Sequence, residues 1–155
     1  MIRKANIHDV KDIHALLQLY ARQGLMLARP LSRIYDHLRD FFVYVDDESG
    51  RIGGFCALQI CWEDMAEVRS LAVHPDFTGR HVGRDLVAAC VQEAREIGLA
   101  KVFTLTYQDK FFAKQGFHII EHKELPLKIW SDCILCPKYP DCDEIAMIML
   151  LDEAS

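Results

Sequence analysis

The sequence lacks the features that would direct it to a membrane or to a nucleic acid. It contains no run of about 18 apolar residues, the length that crosses a bilayer as a helix, and its first residues form no apolar leader segment. It also has no excess of positive charge, since 18 Lys and Arg face 23 Asp and Glu for a net charge of −5. Nucleic-acid-binding domains are usually strongly basic. We therefore expect a cytoplasmic protein without nucleic-acid or membrane partners.

Linkers and repeats are missing as well. No stretch is rich in Pro, Gly or Ser, and no segment recurs along the chain. The 155 residues are 51% hydrophobic and 26% charged, which is the composition of an ordinary globular protein. Such a chain buries roughly two thirds of its unfolded surface and so builds its own core. We predict one domain over residues 1–155.

The six cysteines are expected to be reduced, because disulfide bonds are rare in the cytosol. Three of them follow the spacing Cys-x2-Cys-x5-Cys, at Cys133, Cys136 and Cys142. Cys-x2-Cys is half of many zinc sites, but the sequence offers no evident fourth ligand. We predict no metal at these positions. Zinc and a reversible redox pair remain alternatives to structural thiols.

Hydrophobic periodicity predicts strands and helices in the order β-α-α-β-β-β-α-β-α-β-β. The strand at 66–73, the long helix at 81–97 and the strand at 101–106 form a β-α-β unit, whose two strands are expected to be parallel. The early hairpins are expected to be antiparallel. The fold class is α/β (α+β), with one mixed sheet and helices on both of its faces. Further strands are predicted at 2–6, 41–45, 51–61, 117–121 and 145–150, and further helices at 9–23, 31–38 and 109–115.

The segment 71–84 is the most informative part of the chain. A strand runs into a turn that contains Gly79 and then into the long helix. Free N–H groups and the helix dipole at such a helix start favour an anion such as pyrophosphate, and Arg80 and Arg84 add charged donors. Taken alone, an ordinary strand-to-helix turn is the commoner explanation of this pattern.

The wider string resembles the acetyl-CoA loop of the GNAT N-acetyltransferase superfamily, whose signature is Gln/Arg-x-x-Gly-x-Gly/Ala. Thr78, His81 and Gly83 occupy the three signature positions, so only Gly83 matches literally. The preceding Leu-Ala-Val-His-Pro and the later Ala-Lys-Gln-Gly-Phe at 113–117 strengthen a resemblance that covers nearly the whole chain. It implies the GNAT fold, with a mostly antiparallel sheet around a central parallel pair, and acetyl-CoA as cosubstrate. The cofactor-binding residues implied are Leu71, Ala72, Val73, Thr78, Gly79, Arg80, His81, Val82, Gly83, Arg84 and Phe112.

A narrower resemblance points to the acetyltransferase module of bacterial N-acetylglutamate synthase. It rests on the segments 24–29, 55–58 and 101–106, on Glu67 before Leu-Ala-Val-His-Pro, and on Gly-Phe at 116–117 with Leu-Pro at 125–126. It implies acetylation of the α-amine of L-glutamate, the first step of arginine biosynthesis. The chain corresponds to the module alone, without the amino-acid-kinase-like domain that precedes it in the longer enzymes.

Acetyl transfer to an amine needs a base, because an amine is mostly protonated at neutral pH. Glu67 matches the strand glutamate that serves this role in the superfamily, although a solvated carboxylate is the simpler explanation from sequence alone. Backbone N–H groups at 71–73 are expected to polarise the thioester carbonyl. The superfamily often places a tyrosine acid in the late short helix, where this chain has Phe111 and Phe112. Tyr107 is our candidate for that acid.

Glutamate carries two carboxylates, so its pocket needs fixed cations. Arg29 matches an arginine of the family's substrate loop, and Arg33 and Lys128 are the other candidates. Two alternatives stay open: a GNAT enzyme that acetylates another small amine or amino acid, and a non-catalytic module that senses a metabolite or the redox state. The sequence also leaves a homodimer open.

Overall fold

The computed structural model describes residues 1–26, 28–125 and 144–151. Its elements follow the predicted order, with short 3₁₀ turns added at 7–9, 38–40, 75–77 and 122–124. The helices are α1 (Val10–Arg22), α2 (Leu31–Asp36), α3 (Val82–Glu96) and α4 (Asp109–Lys114). The strands are β1 (Ile2–Lys4), β2 (Phe41–Val45), β3 (Ile52–Trp62), β4 (Met65–Val73), β5 (Lys101–Thr106), β6 (His118–Ile120) and β7 (Ile145–Leu150).

The strands form one seven-stranded sheet in the order β1-β2-β3-β4-β5-β7-β6. β4 and β5 are parallel, while β2 pairs antiparallel with both β1 and β3, and β7 pairs antiparallel with both β5 and β6. The predicted mixed sheet, mostly antiparallel with one parallel pair, is therefore confirmed. A parallel pair needs a long crossover, and α3 supplies it.

The chain divides into two compact units. The first comprises residues 1–58 and 68–93, and the second comprises residues 59–67 and 94–155. Each has its own apolar cluster among the described residues. The single domain over 1–155 stays a prediction.

The core of the first unit forms under one face of α1. Four side chains on that face are buried, Val10, Ile13, Leu16 and Leu17, at the three- and four-residue spacing that lines one side of a helix. They belong to one cluster with buried side chains of α2, β2, β3 and β4. Each fully buried aliphatic side chain contributes about 1.5–3 kcal/mol. This cluster fixes α1 against the strands.

The helix predicted from residue 9 begins at Val10; it follows a capped 3₁₀ turn at 7–9, and the Asp9 side chain makes no capping hydrogen bond to α1. The Asn6 side chain accepts the N–H of His8 at 3.0 Å, and the Asp9 carboxylate accepts the N–H of Asn6 at 2.8 Å, which together form a capping box. The same carboxylate receives two hydrogen bonds from Arg3, at 2.7 and 3.0 Å. Burial by itself raises the pKa of Asp9, but Arg3 and the Asn6 N–H outweigh it and hold the pKa below its usual value. Asp9 therefore anchors β1 to the helix.

The second unit is organised around β5 and β7. These strands pair in full register from Lys101↔Leu150 to Thr106↔Ile145, with the bounds that the sequence predicted. One buried cluster of this unit contains Met65, Phe103, Leu125 and Ala146. The strand predicted at 117–121 is shorter and spans His118–Ile120.

Among the described residues, no helix is both long and apolar enough to cross a membrane.

Candidate active site

The turn between β4 and α3 leads into a helix whose first backbone N–H groups have no partner within the helix. The first helical hydrogen bond of α3 runs from the Asp85 N–H to the His81 carbonyl at 3.0 Å. The N–H groups of Val82, Gly83 and Arg84 precede it, so they have no partner within the helix. Together with the positive end of the helix dipole, they form the donor arrangement that binds phosphates. The strand, turn and helix lie where the sequence predicted them, and anion binding at this turn stays a prediction.

The backbone of this turn passes twice through the left-handed region. Gly79 has a φ of 81° and His81 a φ of 60°, with Arg80 between them. His81 stands at the first glycine position of the GNAT signature. Its positive φ explains why glycine is favoured there, because L-residues with a Cβ pay about 1–2 kcal/mol in this conformation. His81 takes the required conformation despite its side chain.

A short 3₁₀ turn leads into this loop. Nδ1 of His74 accepts the Asp76 N–H at 3.1 Å, and the Thr78 hydroxyl donates to the Pro75 carbonyl at 3.0 Å. Thr78 therefore uses its hydroxyl inside the turn. It holds the loop in shape at the position where the signature has Gln or Arg.

Phe77 forms an aromatic platform under two arginines. Its ring is 3% exposed, and the guanidinium carbons of Arg51 and Arg80 lie 5.3 and 5.2 Å from its centre, within cation–π range. Arg51 also pairs with Asp76 at 3.2 Å, and Arg80 with Asp46 at 3.8 Å. A guanidinium has five N–H donors, so both arginines keep donors for a further anion. Arg51 lies before β3, outside the motif, and the sequence analysis missed it.

Two adjacent glycines allow β3 to approach this loop closely. A Cβ on Gly54 would lie 2.8 Å from the Ala72 carbonyl oxygen, and a Cβ on Gly53 would lie 2.9 Å from the Phe77 ring. Real Cβ atoms do not approach other atoms so closely. The two glycines therefore permit a close backbone approach at this point of β3.

The last residues of β4 follow a break in the strand's regular pleat. Ser70 has a φ of 58°, the backbone conformation of the first residue in one class of β-bulge. Beyond it, Leu71 and Val73 are half-buried and Ala72 is buried. Val82 of the predicted cofactor set is also buried, so only its backbone N–H is available. No residue preference marks Ser70 in the sequence.

Glu67 is the last residue of β4 that pairs with β5. The parallel register joins Met65 to Lys101, Ala66 to Val102 and Glu67 to Phe103. The Glu67 side chain is half-buried. Glu67 therefore lies within β4, at the end of its pairing with β5, and its role as general base stays a prediction.

The predicted acid and its neighbours lie in the second unit. Tyr107 directly follows β5 and is 39% exposed. Phe112, predicted to contact the cofactor, is 4% exposed and packs edge-to-face on Phe111 and Phe117. The structure therefore assigns Phe112 to a packed aromatic group. Phe111 is the half-buried member of that group.

The predicted substrate cations are only partly within the described residues. Arg29 is half-buried in the segment before α2, and Arg33 is exposed on α2. Lys128 and the cysteines at 133, 136 and 142 lie outside the described residues. Within residues 1–26, 28–125 and 144–151, no three His, Cys, Asp or Glu side chains form a group that could hold a metal ion.

Comparisons with known proteins agree with this architecture. The model of the acetyltransferase (GNAT) family matches residues 9–117. An uncharacterized N-acetyltransferase of Chlorobaculum tepidum is 41% identical over 150 residues, which cover 97% of this chain and 96% of that protein. An amino-acid acetyltransferase of Mycobacterium tuberculosis is 33% identical over 140 residues, 90% of this chain and 79% of that protein.

Two solved structures extend the comparison to the fold. N-acetylglutamate synthase from Neisseria gonorrhoeae, complexed with coenzyme A and N-acetyl-glutamate, is similar with a TM-score of 0.88 and 28% identity. The similarity covers 98% of this chain and 35% of that one. A Mycobacterium tuberculosis protein in complex with CoA and the ligand NLQ has a TM-score of 0.86 and 29% identity, covering 98% and 99% of the two chains. The chain belongs to the GNAT family of acetyltransferases.

Proposed function

We propose that this acetyltransferase moves the acetyl group of acetyl-CoA to the α-amine of L-glutamate. The observation that carries the proposal is the likeness, over 98% of the chain, to an N-acetylglutamate synthase solved with coenzyme A and N-acetyl-glutamate. The amino-acid acetyltransferase of Mycobacterium tuberculosis supports the same substrate class. The proposal includes a cytoplasmic location and a homodimer.

Acetyl-CoA binding is assigned to the turn between β4 and α3. The N–H groups of Val82, Gly83 and Arg84 receive the pyrophosphate, which is the anion that a helix start binds best. Arg80 and Arg51 on the Phe77 ring add charge-assisted donors at the edge of the turn. Backbone N–H groups at 71–73 are assigned to the cosubstrate, with one of them polarising the thioester carbonyl.

The chemical step is a direct attack in a ternary complex. Glu67 takes a proton from the ammonium group of glutamate, so that the nitrogen lone pair becomes available. The nitrogen then bonds to the thioester carbonyl carbon, the carbon–sulfur bond breaks with its electron pair on the CoA sulfur, and the nitrogen releases its second proton to solvent to give the neutral amide. Tyr107 is assigned to protonate that sulfur. A free thiol titrates near 8.5, so the CoA thiolate can leave without being protonated at once. We therefore expect Tyr107 to contribute less to the rate than Glu67.

Arg29 is assigned to a carboxylate of glutamate. A guanidinium binds a carboxylate through two parallel hydrogen bonds, which fixes the orientation of the amino acid as well as its affinity. Arg33 is exposed on α2 and is the second candidate for this contact, and Lys128 is the third.

The test is an amino-acid panel with the purified chain and acetyl-CoA. Glutamate, glutamine, aspartate, ornithine and an acceptor-free blank are compared by chromatographic measurement of CoA and of the acetylated product. We expect release of CoA that depends on glutamate. Faster turnover of another amine would instead support the alternative acetyltransferase, which the Chlorobaculum tepidum relative, itself without an assigned acceptor, keeps open. CoA binding without turnover of any amine would support a sensing module.

A further inference from the structure

The peptide group between Val73 and His74 is held from both sides within the first unit. The Tyr20 hydroxyl donates a hydrogen bond to the Val73 carbonyl, and the His74 N–H donates to the Gly53 carbonyl at 2.8 Å. A trans peptide points its C=O and N–H in opposite directions, so α1 and β3 hold this group between them. It is the last peptide of β4 and leads directly into the turn.

The same tyrosine closes the C-terminal end of α1. The Tyr20 carbonyl accepts the N–H groups of Gln23 and Leu25, each at 3.1 Å. Leu25 belongs to the segment 24–29, in which Arg29 lies. One residue therefore contacts the end of β4 through its side chain and the start of the predicted acceptor segment through its main chain.

The surroundings of Tyr20 keep its hydroxyl in the donor state. The ring packs against the buried cluster of the first unit, which includes Ala72 beside Val73. Burial raises the pKa of Tyr20 above its usual value. The hydroxyl therefore stays protonated at neutral pH and donates its hydrogen bond throughout the range in which the enzyme is assayed.

The hydrogen bond from Tyr20 lies on the same side of β4 as a backbone N–H that we assign to acetyl-CoA. In an extended strand, the N–H and C=O of one residue point to the same side. The Val73 carbonyl points toward Tyr20, and the adjoining His74 N–H points toward β3. The N–H of Val73, one of the donors assigned to acetyl-CoA, therefore lies on the side that Tyr20 approaches.

We propose that Tyr20 is a positioning residue that fixes the Val73 peptide for acetyl-CoA and couples the cosubstrate strand to Leu25, which precedes the assigned acceptor contact Arg29. The inference rests on the proposed function only in assigning acetyl-CoA to the end of β4 and the acceptor to Arg29. It does not depend on which amino acid is acetylated. Two measurable consequences follow, a weaker cosubstrate site without the hydroxyl and a loss of interdependence between the two substrates.

The test compares Tyr20→Phe with Tyr35→Phe. Tyr35 is a 42% exposed tyrosine on α2, so its variant removes the same atom from a residue to which we assign no role in binding. Calorimetry gives the Kd of CoA alone and in the presence of saturating acceptor, and steady-state kinetics give kcat and KM for both substrates. Thermal unfolding of each variant reports its stability.

For Tyr20→Phe we expect a CoA Kd that rises about 3- to 10-fold, the size of one hydrogen bond, and a matching fall in kcat/KM for acetyl-CoA. In the wild type we expect the Kd of CoA to differ with and without saturating acceptor, and in Tyr20→Phe the ratio of these two Kd values should move toward one. Tyr35→Phe should equal the wild type in all values.

A lower unfolding temperature with unchanged Kd, unchanged kinetics and an unchanged Kd ratio would make Tyr20 merely structural and overturn the proposal. A wild-type Kd ratio of one would overturn the coupling. A different preferred acceptor would contradict glutamate as the substrate while leaving the CoA comparison in force.

Discussion

Gly79 and His81 adopt the same left-handed backbone conformation on either side of Arg80. These two residues of positive φ, separated only by Arg80, turn the chain just before α3 begins at Val82. The GNAT signature has glycine at the position of His81. This chain has histidine there, a residue that adopts positive φ more often than most. The conformation is retained although the signature residue is not.

Gly83→Glu is expected to abolish CoA binding. Gly83 is the second residue of α3, where the backbone approaches the pyrophosphate, and a glutamate adds bulk and repels the phosphates. Calorimetry with CoA measures the effect. Ala88→Glu, which adds the same charge at an exposed position of the same helix, serves as the control and should bind normally. A folded Gly83→Glu variant with wild-type affinity would exclude this turn as the CoA site.

Glu67→Gln should lower kcat by roughly 10²–10⁴-fold at neutral pH. Glutamine keeps the shape but cannot accept a proton, so activity should recover partly as pH rises and free amine becomes abundant. The pH profile of kcat measures this. Glu63→Gln is the matched control, because Glu63 is exposed in the turn between β3 and β4. Near-wild-type turnover of Glu67→Gln would leave Glu67 as a structural carboxylate.

Arg29→Ala should raise KM for glutamate by about 10- to 150-fold, which corresponds to about 1.5–3 kcal/mol for one charge-assisted pair. KM for acetyl-CoA should barely change. Arg29→Lys should fall between, since lysine keeps the charge but loses the planar fork. Arg39→Ala removes an exposed arginine and is the control. An equal rise in KM for glutamate and for acetyl-CoA would indicate that Arg29 supports the fold or the binding of the cosubstrate.

Gly54→Ala should lower the free energy of unfolding by about 1–3 kcal/mol. The added Cβ meets the Ala72 carbonyl oxygen at 2.8 Å, and backbone cannot move aside as a side chain can. Gly50→Ala is the comparison, because nothing lies within 4 Å of its Cβ and only its φ of 72° opposes the change. Denaturant titration measures both. If Gly54→Ala lowered the free energy of unfolding less than Gly50→Ala does, the close approach of Gly54 to the Ala72 carbonyl would be contradicted.

Asp9→Asn should destabilise the fold by about 1.5–3 kcal/mol at neutral pH. The folded-state pKa of Asp9 lies below its usual value of 3.8, so its stabilisation is complete above pH 3.8 and is lost as pH falls through the folded-state pKa. The stability difference between wild type and variant should therefore be constant near neutrality and shrink in acid. A difference that is unchanged at pH 2 would contradict the ion pair with Arg3 as its source.

Local patterns predicted most of the fold. The strands at 41–45, 101–106 and 145–150 were predicted with their observed bounds, because apolar β-rich runs flanked by turns are strong signals. The start of α1 was less well predicted. Asn6 and Asp9 are both good capping residues, and the contact with Arg3 that decides between them comes from the fold.

The candidate site was predicted only where a motif marks it. Thr78 to Arg84 form a contiguous string, so the anion-binding turn could be predicted. Arg51 and Tyr20 reach the same region from distant parts of the chain, and no local pattern connects them to it. Phe112, which the resemblance assigned to the cofactor, packs into an aromatic group, and its contact with the cofactor stays a prediction.

The bulge-like conformation of Ser70 sets which way the later groups of β4 point, so the number of residues in this strand matters for the site. Side chains and carbonyl groups alternate along a strand with a period of two, so one residue added or removed at position 70 would turn every later group of β4 to the opposite side. The Val73 carbonyl would then face β3, and both Tyr20 and Gly53 would lose their hydrogen bonds at once. The positive φ restricts which residues can replace Ser70, but an insertion or deletion there should abolish the activity whatever the residue, so relatives that keep the activity should align across β4 without gaps.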